Sequence, residues 1–117
     1  MRILVLICLA IFAAYTGWER LRPPARLEPL HETPYIIVYG RDTCPYTSAM
    51  RKTLARAEVP FHYEIIDDEP ARSQIHERMR AVKIDTSYYE LPVVDVSAKI
   101  LVHPEPASVL EAFRASR

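Results

Sequence analysis

The segment Thr43–Thr47 (TCPYT) places a thiol, Cys44, where a short apolar run gives way to an amphipathic one. We expect a strand followed by a helix, with Pro45 in the first helical turn, where a missing amide donor costs nothing. Amides at a helix N-terminus are unsatisfied and the helix dipole adds positive charge, so a thiol there ionises readily. The thiolate is the nucleophile in disulfide exchange, and Arg41 adds a nearby positive charge. Cys44 is therefore the candidate nucleophile.

Composition narrows the class of partner. Lys+Arg and Asp+Glu number 15 each, and no basic stripe is present. We therefore predict no nucleic-acid binding, and expect a small molecule, a protein or a membrane as partner. Cys8 lies in an apolar stretch and Cys44 in a polar turn, so we expect no internal disulfide. The four histidines show no metal-ligand spacing, and we predict no metal site.

A pattern of alternating strands and helices follows from Tyr35 onward. Short apolar runs predict strands at 35–39, 61–66, 91–96 and 100–102. Helical periodicity predicts helices at 45–57, from Pro70 onward and at 104–114. In the first of these helices, Tyr46, Met50 and Leu54 share one face. The order β-α-β-α-β-β-α predicts a small α/β sandwich with a mixed sheet.

The strand, the Cys-Pro-Tyr turn, the helix and a later Leu-Pro step opening the third strand resemble the glutaredoxin family of the thioredoxin fold. The resemblance covers residues 35–117, which we predict to be a glutaredoxin-like domain. It implies a thioredoxin-like sandwich, with a four-stranded mixed sheet flanked by helices. It also implies glutathione as a co-substrate.

The same resemblance assigns roles to individual residues. It implies that Cys44 is the nucleophile, that Pro92 is a cis proline, and that the backbone of Leu91 pairs with the cysteinyl unit of glutathione. Arg41 would take the place of the lysine that meets a glutathione carboxylate, and Tyr46 would flank the sulfur. Pro45 belongs to the same turn.

Two departures from the family pattern shape the expected function. Thr47 replaces the second cysteine, so exchange must proceed through one thiol; the Thr47 hydroxyl can bond to the helix backbone or donate to the thiolate. The usual Gly-Gly step before the last helix is replaced by Leu101–Glu105 (LVHPE). We predict a monothiol oxidoreductase acting on glutathione or glutathionylated proteins through Cys44. Two alternatives are a non-catalytic binding or redox-sensing module and a glutathione-dependent iron–sulfur cluster carrier.

The N-terminal stretch is not expected to belong to the domain. Ile3–Trp18 is uncharged and predicts a hydrophobic helix before the domain. Such a helix is roughly 24 Å long at about 1.5 Å per residue, against a hydrocarbon core of about 30 Å. Tyr15 and Trp18 suit a membrane interface. We predict that residues 1–18 form a membrane anchor or a signal segment, with membrane contact through residues 3–18.

Residues 19–34 are rich in proline and predict an extended linker. The flanking charges favour a single-span protein with its domain on the cytoplasmic side of the membrane, a periplasmic or exported form being the alternative. The protein substrate and the oligomeric state are left open by the sequence.

Overall fold

The computed structural model describes residues 1–21 and 26–117, so residues 22–25 of the predicted linker lie outside the described residues. The elements are α1 (Arg2–Leu21), β1 (Ile36–Gly40), α2 (Pro45–Arg56), β2 (His62–Ile65), α3 (Ala71–Ala81), β3 (Val93–Val96), β4 (Lys99–Val102) and α4 (Pro106–Ala115). From β1 onward their order is the predicted one.

The four strands form one mixed sheet in the order β2-β1-β3-β4. Strand β1 runs parallel to β2 and antiparallel to β3, and β3 runs antiparallel to β4. Both central strands are buried along their whole length, which explains why they read as continuous apolar runs and not as alternating ones. The predicted four-stranded mixed sheet is confirmed.

Helices cover both faces of this sheet. Successive side chains of a strand point to opposite faces, so Ile37 and Tyr39 pack with α3, while Ile36 and Val38 pack with α2 and α4. Residues that are fully buried on the α3 face include Ile75 and Met79; on the other face they include Met50, Leu54 and Val109. The sheet and its two helical layers hold the N-terminus of α2 at the carboxyl end of β1.

Helix α2 buries Met50 and Leu54, as predicted, but not Tyr46. Thr47, Met50 and Leu54 are buried, whereas Tyr46 is 63% exposed. The buried side of α2 therefore begins at Thr47, one residue later than predicted, with the spacing i, i+3, i+7. Gly40 makes room for it, because a Cβ at Gly40 would lie 2.4 Å from both Cγ2 and Oγ1 of Thr47.

Prolines move three predicted boundaries. Pro92 has no amide to donate to a sheet, and β3 begins after it, at Val93. Helix α4 begins at Pro106 and not at Pro104, because the residue before a proline is pushed out of the helical region; Glu105 is extended, with φ −72° and ψ 146°. Pro70 precedes α3 as its cap residue and is not its first helical residue.

The N-terminal helix α1 exposes most of its large apolar side chains. Within residues 1–21 and 26–117, no helix has both the length and the apolar character needed to cross a membrane. The prediction of a single-span membrane anchor, with contact through residues 3–18 and a domain on the cytoplasmic side, was wrong. The uncharged stretch is shorter than the roughly 20 apolar residues that a spanning helix requires.

The part of the chain just before β1 lies against the domain. The amide of Leu30 donates to the Tyr35 hydroxyl at 3.1 Å, and Nη1 of Arg78 donates to the carbonyl of Glu28 at 2.9 Å. The His31 ring meets the Tyr35 ring edge-on, with centroids 5.1 Å apart. These contacts fix the direction from which the chain enters the sheet.

Candidate active site

Cys44 is the N-cap residue of α2, at the end of the turn that leaves β1. Its backbone is extended (φ −86°, ψ 119°), and Pro45 follows as the first helical residue, as predicted. The Cys44 amide donates to the Arg41 carbonyl at 3.1 Å, which closes the turn. The thiol is half-buried, so a substrate can reach it.

Opposing effects act on the pKa of Cys44, and the net result is a pKa below its usual value. Burial raises it. Hydrogen bonding by the hydroxyl and amide of Thr47 and by the amide of Tyr46 lowers it, and so does the charge of Arg41. A depressed pKa increases the thiolate fraction near neutral pH, which is what a nucleophile in disulfide exchange needs.

Thr47 connects the sulfur to the sheet. Its side chain is completely buried, and its Oγ1 accepts a hydrogen bond from the Arg41 amide at 3.4 Å. Because that amide supplies the hydrogen, the hydroxyl proton is available for Cys44. Of the two roles open to Thr47 from sequence, the geometry favours donation to the thiolate. Gly40 is the residue whose missing side chain permits this arrangement.

Arg41 already has a partner. Its Nε and Nη2 donate to the two carboxylate oxygens of Asp67 at 2.8 and 2.9 Å. Both side chains are about half exposed, at 53% and 52%. Such pairs contribute little to stability, so Arg41 can exchange Asp67 for the carboxylate of a ligand at small cost.

The Leu91–Pro92 peptide is cis, as the resemblance implied. Pro92 is buried and Leu91 is half-buried. Arg41 and Leu91 line a cavity of about 220 Å³, together with Ile66, Arg72, His76, Thr86, Ser87, Tyr88 and Tyr89. Two arginines and two tyrosines on one small cavity suit an anionic, partly polar ligand.

His103, to which the sequence assigned no role in the site, contacts both halves of it. Its Nδ1 lies 2.8 Å from the Leu91 carbonyl oxygen, and its ring meets the Tyr46 ring edge-on at 4.6 Å. A sequence signal was present, because His103 falls within the stretch that replaces the family's Gly-Gly step. The structure adds that its φ is +49°. A bulky residue at a position that favours glycine is worth attention.

Comparisons with known proteins agree with this geometry. A family model for glutaredoxin matches residues 36–100. The crystal structure of a glutaredoxin (grx-1) from Archaeoglobus fulgidus is similar, with a TM-score of 0.53 and 23% identity, over 77% of this chain and 99% of that one. This likeness confirms the thioredoxin-like α/β fold.

A second solved structure, glutaredoxin 1 from Francisella tularensis complexed with cacodylate, has a TM-score of 0.48 and 20% identity, over 71% of this chain and 94% of that one. No curated protein sequence matches the chain.

Proposed function

Since the chain belongs to the glutaredoxin family, we propose that it is a monothiol thiol–disulfide oxidoreductase that acts on glutathione mixed disulfides through Cys44. The glutaredoxin domain suggests thiol–disulfide oxidoreductase chemistry in general. The observation that carries the narrower proposal is the lowered pKa of Cys44 at a helix N-terminus where Thr47, and no second cysteine, stands three residues later.

The reaction has two exchange steps. The Cys44 thiolate attacks the glutathione sulfur of a protein mixed disulfide, the substrate S–S bond breaks, and the protein thiolate leaves. A second glutathione thiolate then attacks the Cys44–glutathione disulfide, which releases oxidised glutathione and restores the Cys44 thiolate. The net reaction converts the protein mixed disulfide and one reduced glutathione into the protein thiol and oxidised glutathione, so no oxidant or reductant beyond glutathione is needed.

Thr47 supports the first step. Its buried hydroxyl stabilises the thiolate without being able to resolve the mixed disulfide, so the intermediate must wait for an external thiol. This separates the chain from dithiol relatives, in which a neighbouring cysteine expels glutathione.

The cavity beside Arg41 and Leu91 supports glutathione as the ligand. Glutathione carries two carboxylates, and Arg41 and Arg72 offer two guanidinium groups on that cavity. We infer that a glutathione carboxylate replaces Asp67 on Arg41, while the Leu91 backbone pairs with the cysteinyl unit. Just before α4, Pro104 has no amide to offer a second carboxylate.

The direct test is glutathionylation of the full-length chain. The protein is treated with oxidised glutathione, and adducts at each cysteine are followed over time by peptide mass spectrometry. Cys8, which is exposed in the middle of α1, serves as an internal reference thiol. We expect an adduct to form faster on Cys44 than on Cys8, to be absent from Cys44→Ser, and to be removed by excess reduced glutathione.

The opposite result has a clear meaning. If Cys44 reacts no faster than Cys8, or if reduced glutathione does not release its adduct, the monothiol enzyme is excluded. The chain is then better described as a non-catalytic binding or redox-sensing module of the thioredoxin fold.

A further inference from the structure

His103 lies between β4 and α4 in a backbone conformation that side chains disfavour. Its φ of +49° falls in the left-handed region. The conformation is held by a backbone hydrogen bond, in which the His103 amide donates to the Pro92 carbonyl at 2.8 Å. Strained residues of this kind persist where surrounding contacts over-determine them, and they concentrate at functional sites.

The imidazole adds contacts to the same loop. A carbonyl oxygen only accepts hydrogen bonds, so the 2.8 Å distance from Nδ1 to the Leu91 carbonyl requires the proton on Nδ1. The other ring nitrogen, Nε2, lies 3.6 Å from the Glu90 carboxylate. His103 therefore contacts three consecutive residues, Glu90, Leu91 and Pro92, which form the wall of the site opposite α2.

The ring of His103 also reaches the other wall. It meets the Tyr46 ring at a centroid distance of 4.6 Å and an interplanar angle of 74°, a favourable edge-to-face geometry. Tyr46 is the second residue of α2, two residues after the nucleophile. One side chain thus links the helix that carries Cys44 to the loop that receives the substrate backbone.

We propose that His103 is a positioning residue, which fixes the Leu91 carbonyl and the Tyr46 ring relative to Cys44 so that a glutathione mixed disulfide enters a preformed site. The inference rests on the proposed function. A prearranged site spares the substrate the entropic cost of ordering the loop and the ring. The main groups that lower the pKa of Cys44 are Thr47, Tyr46 and Arg41. The loss of His103 should therefore weaken substrate binding and leave the thiolate unchanged.

The variant His103→Gly makes a sharp test, because glycine adopts a positive φ without strain and the fold is retained. The substrate is a cysteine peptide in mixed disulfide with glutathione, with reduced glutathione in excess. We expect KM to rise about five- to tenfold, the effect of losing one well-placed hydrogen bond and a ring contact. The pH profile of Cys44 alkylation by iodoacetamide should stay unchanged.

His103→Asn is the matched control. Asparagine tolerates the left-handed region, and its side-chain amide can donate to the Leu91 carbonyl as Nδ1 does. We expect a KM between those of the native chain and His103→Gly, because the carbonyl contact returns and the Tyr46 contact does not. Thermal unfolding of both variants checks that the fold is intact.

The experiments distinguish a failure of the proposed function from a failure of the role given to His103. A native chain that forms no rapid Cys44 adduct removes the proposed function, and this inference with it. An active native chain whose KM is unchanged in His103→Gly overturns the inference alone. A shifted alkylation profile in His103→Gly would also overturn it, because His103 would then act on the thiolate and not on the substrate.

Discussion

Two of the Arg–Asp pairs among the described residues lie in opposite surroundings. Arg78 and Asp95 are 10% and 0% exposed and lie 3.0 Å apart, whereas Arg41 and Asp67 are about half exposed and lie 2.8 Å apart beside Cys44. The chemistry of the two pairs is the same. Their different burial gives them different tasks, since the cost of desolvation decides what happens when one partner is lost.

The buried pair belongs to a network that fixes the chain. Asp95 accepts hydrogen bonds from Arg78, from the Tyr35 hydroxyl at 3.1 Å and from the Ala98 amide at 2.9 Å, while Arg78 also reaches the Glu28 carbonyl. These bonds join α3, β3, the turn after β3 and the segment before β1. The exposed pair joins only the β1 turn to the end of β2, and it is free to change partners. The rigid Arg78–Asp95 network thus lies away from the Cys44 thiol, whereas the Arg41–Asp67 pair, which can change partners, lies beside it.

The largest effect we predict comes from Arg78→Met. This change leaves Asp95 buried without its countercharge, and we expect a loss of about 3–5 kcal/mol in the free energy of unfolding. Arg41→Met is the matched control at the exposed pair, with an expected loss below about 1 kcal/mol. Urea unfolding of both variants measures the difference.

The pH dependence of that loss tests its cause. Burial raises the pKa of Asp95, ahead of the opposing attraction of Arg78 and the hydrogen bond from Tyr35. A folded-state pKa above the unfolded value of about 3.9 means that the ionised form costs stability at neutral pH and that this cost fades as pH falls. The loss in Arg78→Met should therefore shrink between pH 7 and pH 4. Equal losses at both pH values, or equal losses for the two methionine variants, would contradict the comparison.

The next largest loss of unfolding free energy is expected at Gly40, which packs tightly against Thr47 near Cys44. In Gly40→Ala, the new Cβ would lie 2.4 Å from the buried Thr47 side chain. Overpacking of this kind costs about 1–3 kcal/mol. In a Thr47→Ala background the same change should cost clearly less, because the two clashing atoms are gone, and a double-mutant cycle of unfolding free energies measures that coupling. A cycle without coupling would show that the strain lies elsewhere.

Much of the fold could be predicted because it depends on local patterns. The continuous apolar runs of β1 and β3 predicted buried central strands, and Thr43–Thr47 placed Cys44 at a helix N-terminus. The contacts that tune the site join residues far apart in sequence. Arg41 meets Asp67 across 26 positions, and His103 meets Leu91 across 12. No periodicity reports such pairings, so the sequence predicts neither the Arg41–Asp67 pair nor the contact between His103 and Leu91.

The prediction of a single-span anchor at residues 3–18 was wrong for a different reason. The aromatic residues Tyr15 and Trp18 suit a membrane interface, but the uncharged run is shorter than the roughly 20 apolar residues that a spanning helix needs.

A smaller effect is expected from Thr47→Val, which keeps the side-chain shape and removes the hydroxyl. The pKa of Cys44 should rise, because the hydrogen bond to the thiolate is lost. The free energy of unfolding should fall by about 1 kcal/mol. A lowered folded pKa stabilises the fold above the unfolded thiol pKa of about 8.5, and this contribution disappears as pH falls through the folded value. Part of the loss should therefore appear only at alkaline pH. Thr47→Ser, which retains the hydroxyl, should keep an alkylation midpoint close to the native one.

The smallest effect is expected from the exposed pair Arg41–Asp67, where the direction of the change in the Cys44 pKa is the informative result. The charge of Arg41 lowers the pKa of Cys44 less than the hydrogen bonds from Thr47 and Tyr46 do. Arg41→Met should raise that pKa slightly, while Asp67→Asn, which leaves the Arg41 charge uncompensated, should lower it. Iodoacetamide alkylation rates between pH 5 and 9 measure both midpoints at low salt, where screening is weakest. Shifts in the same direction would show that the two side chains act on Cys44 through the backbone of the turn and not through their charge. Opposite shifts, with little change in unfolding free energy, would show that the exposed pair adjusts the thiol while the buried pair supports the fold.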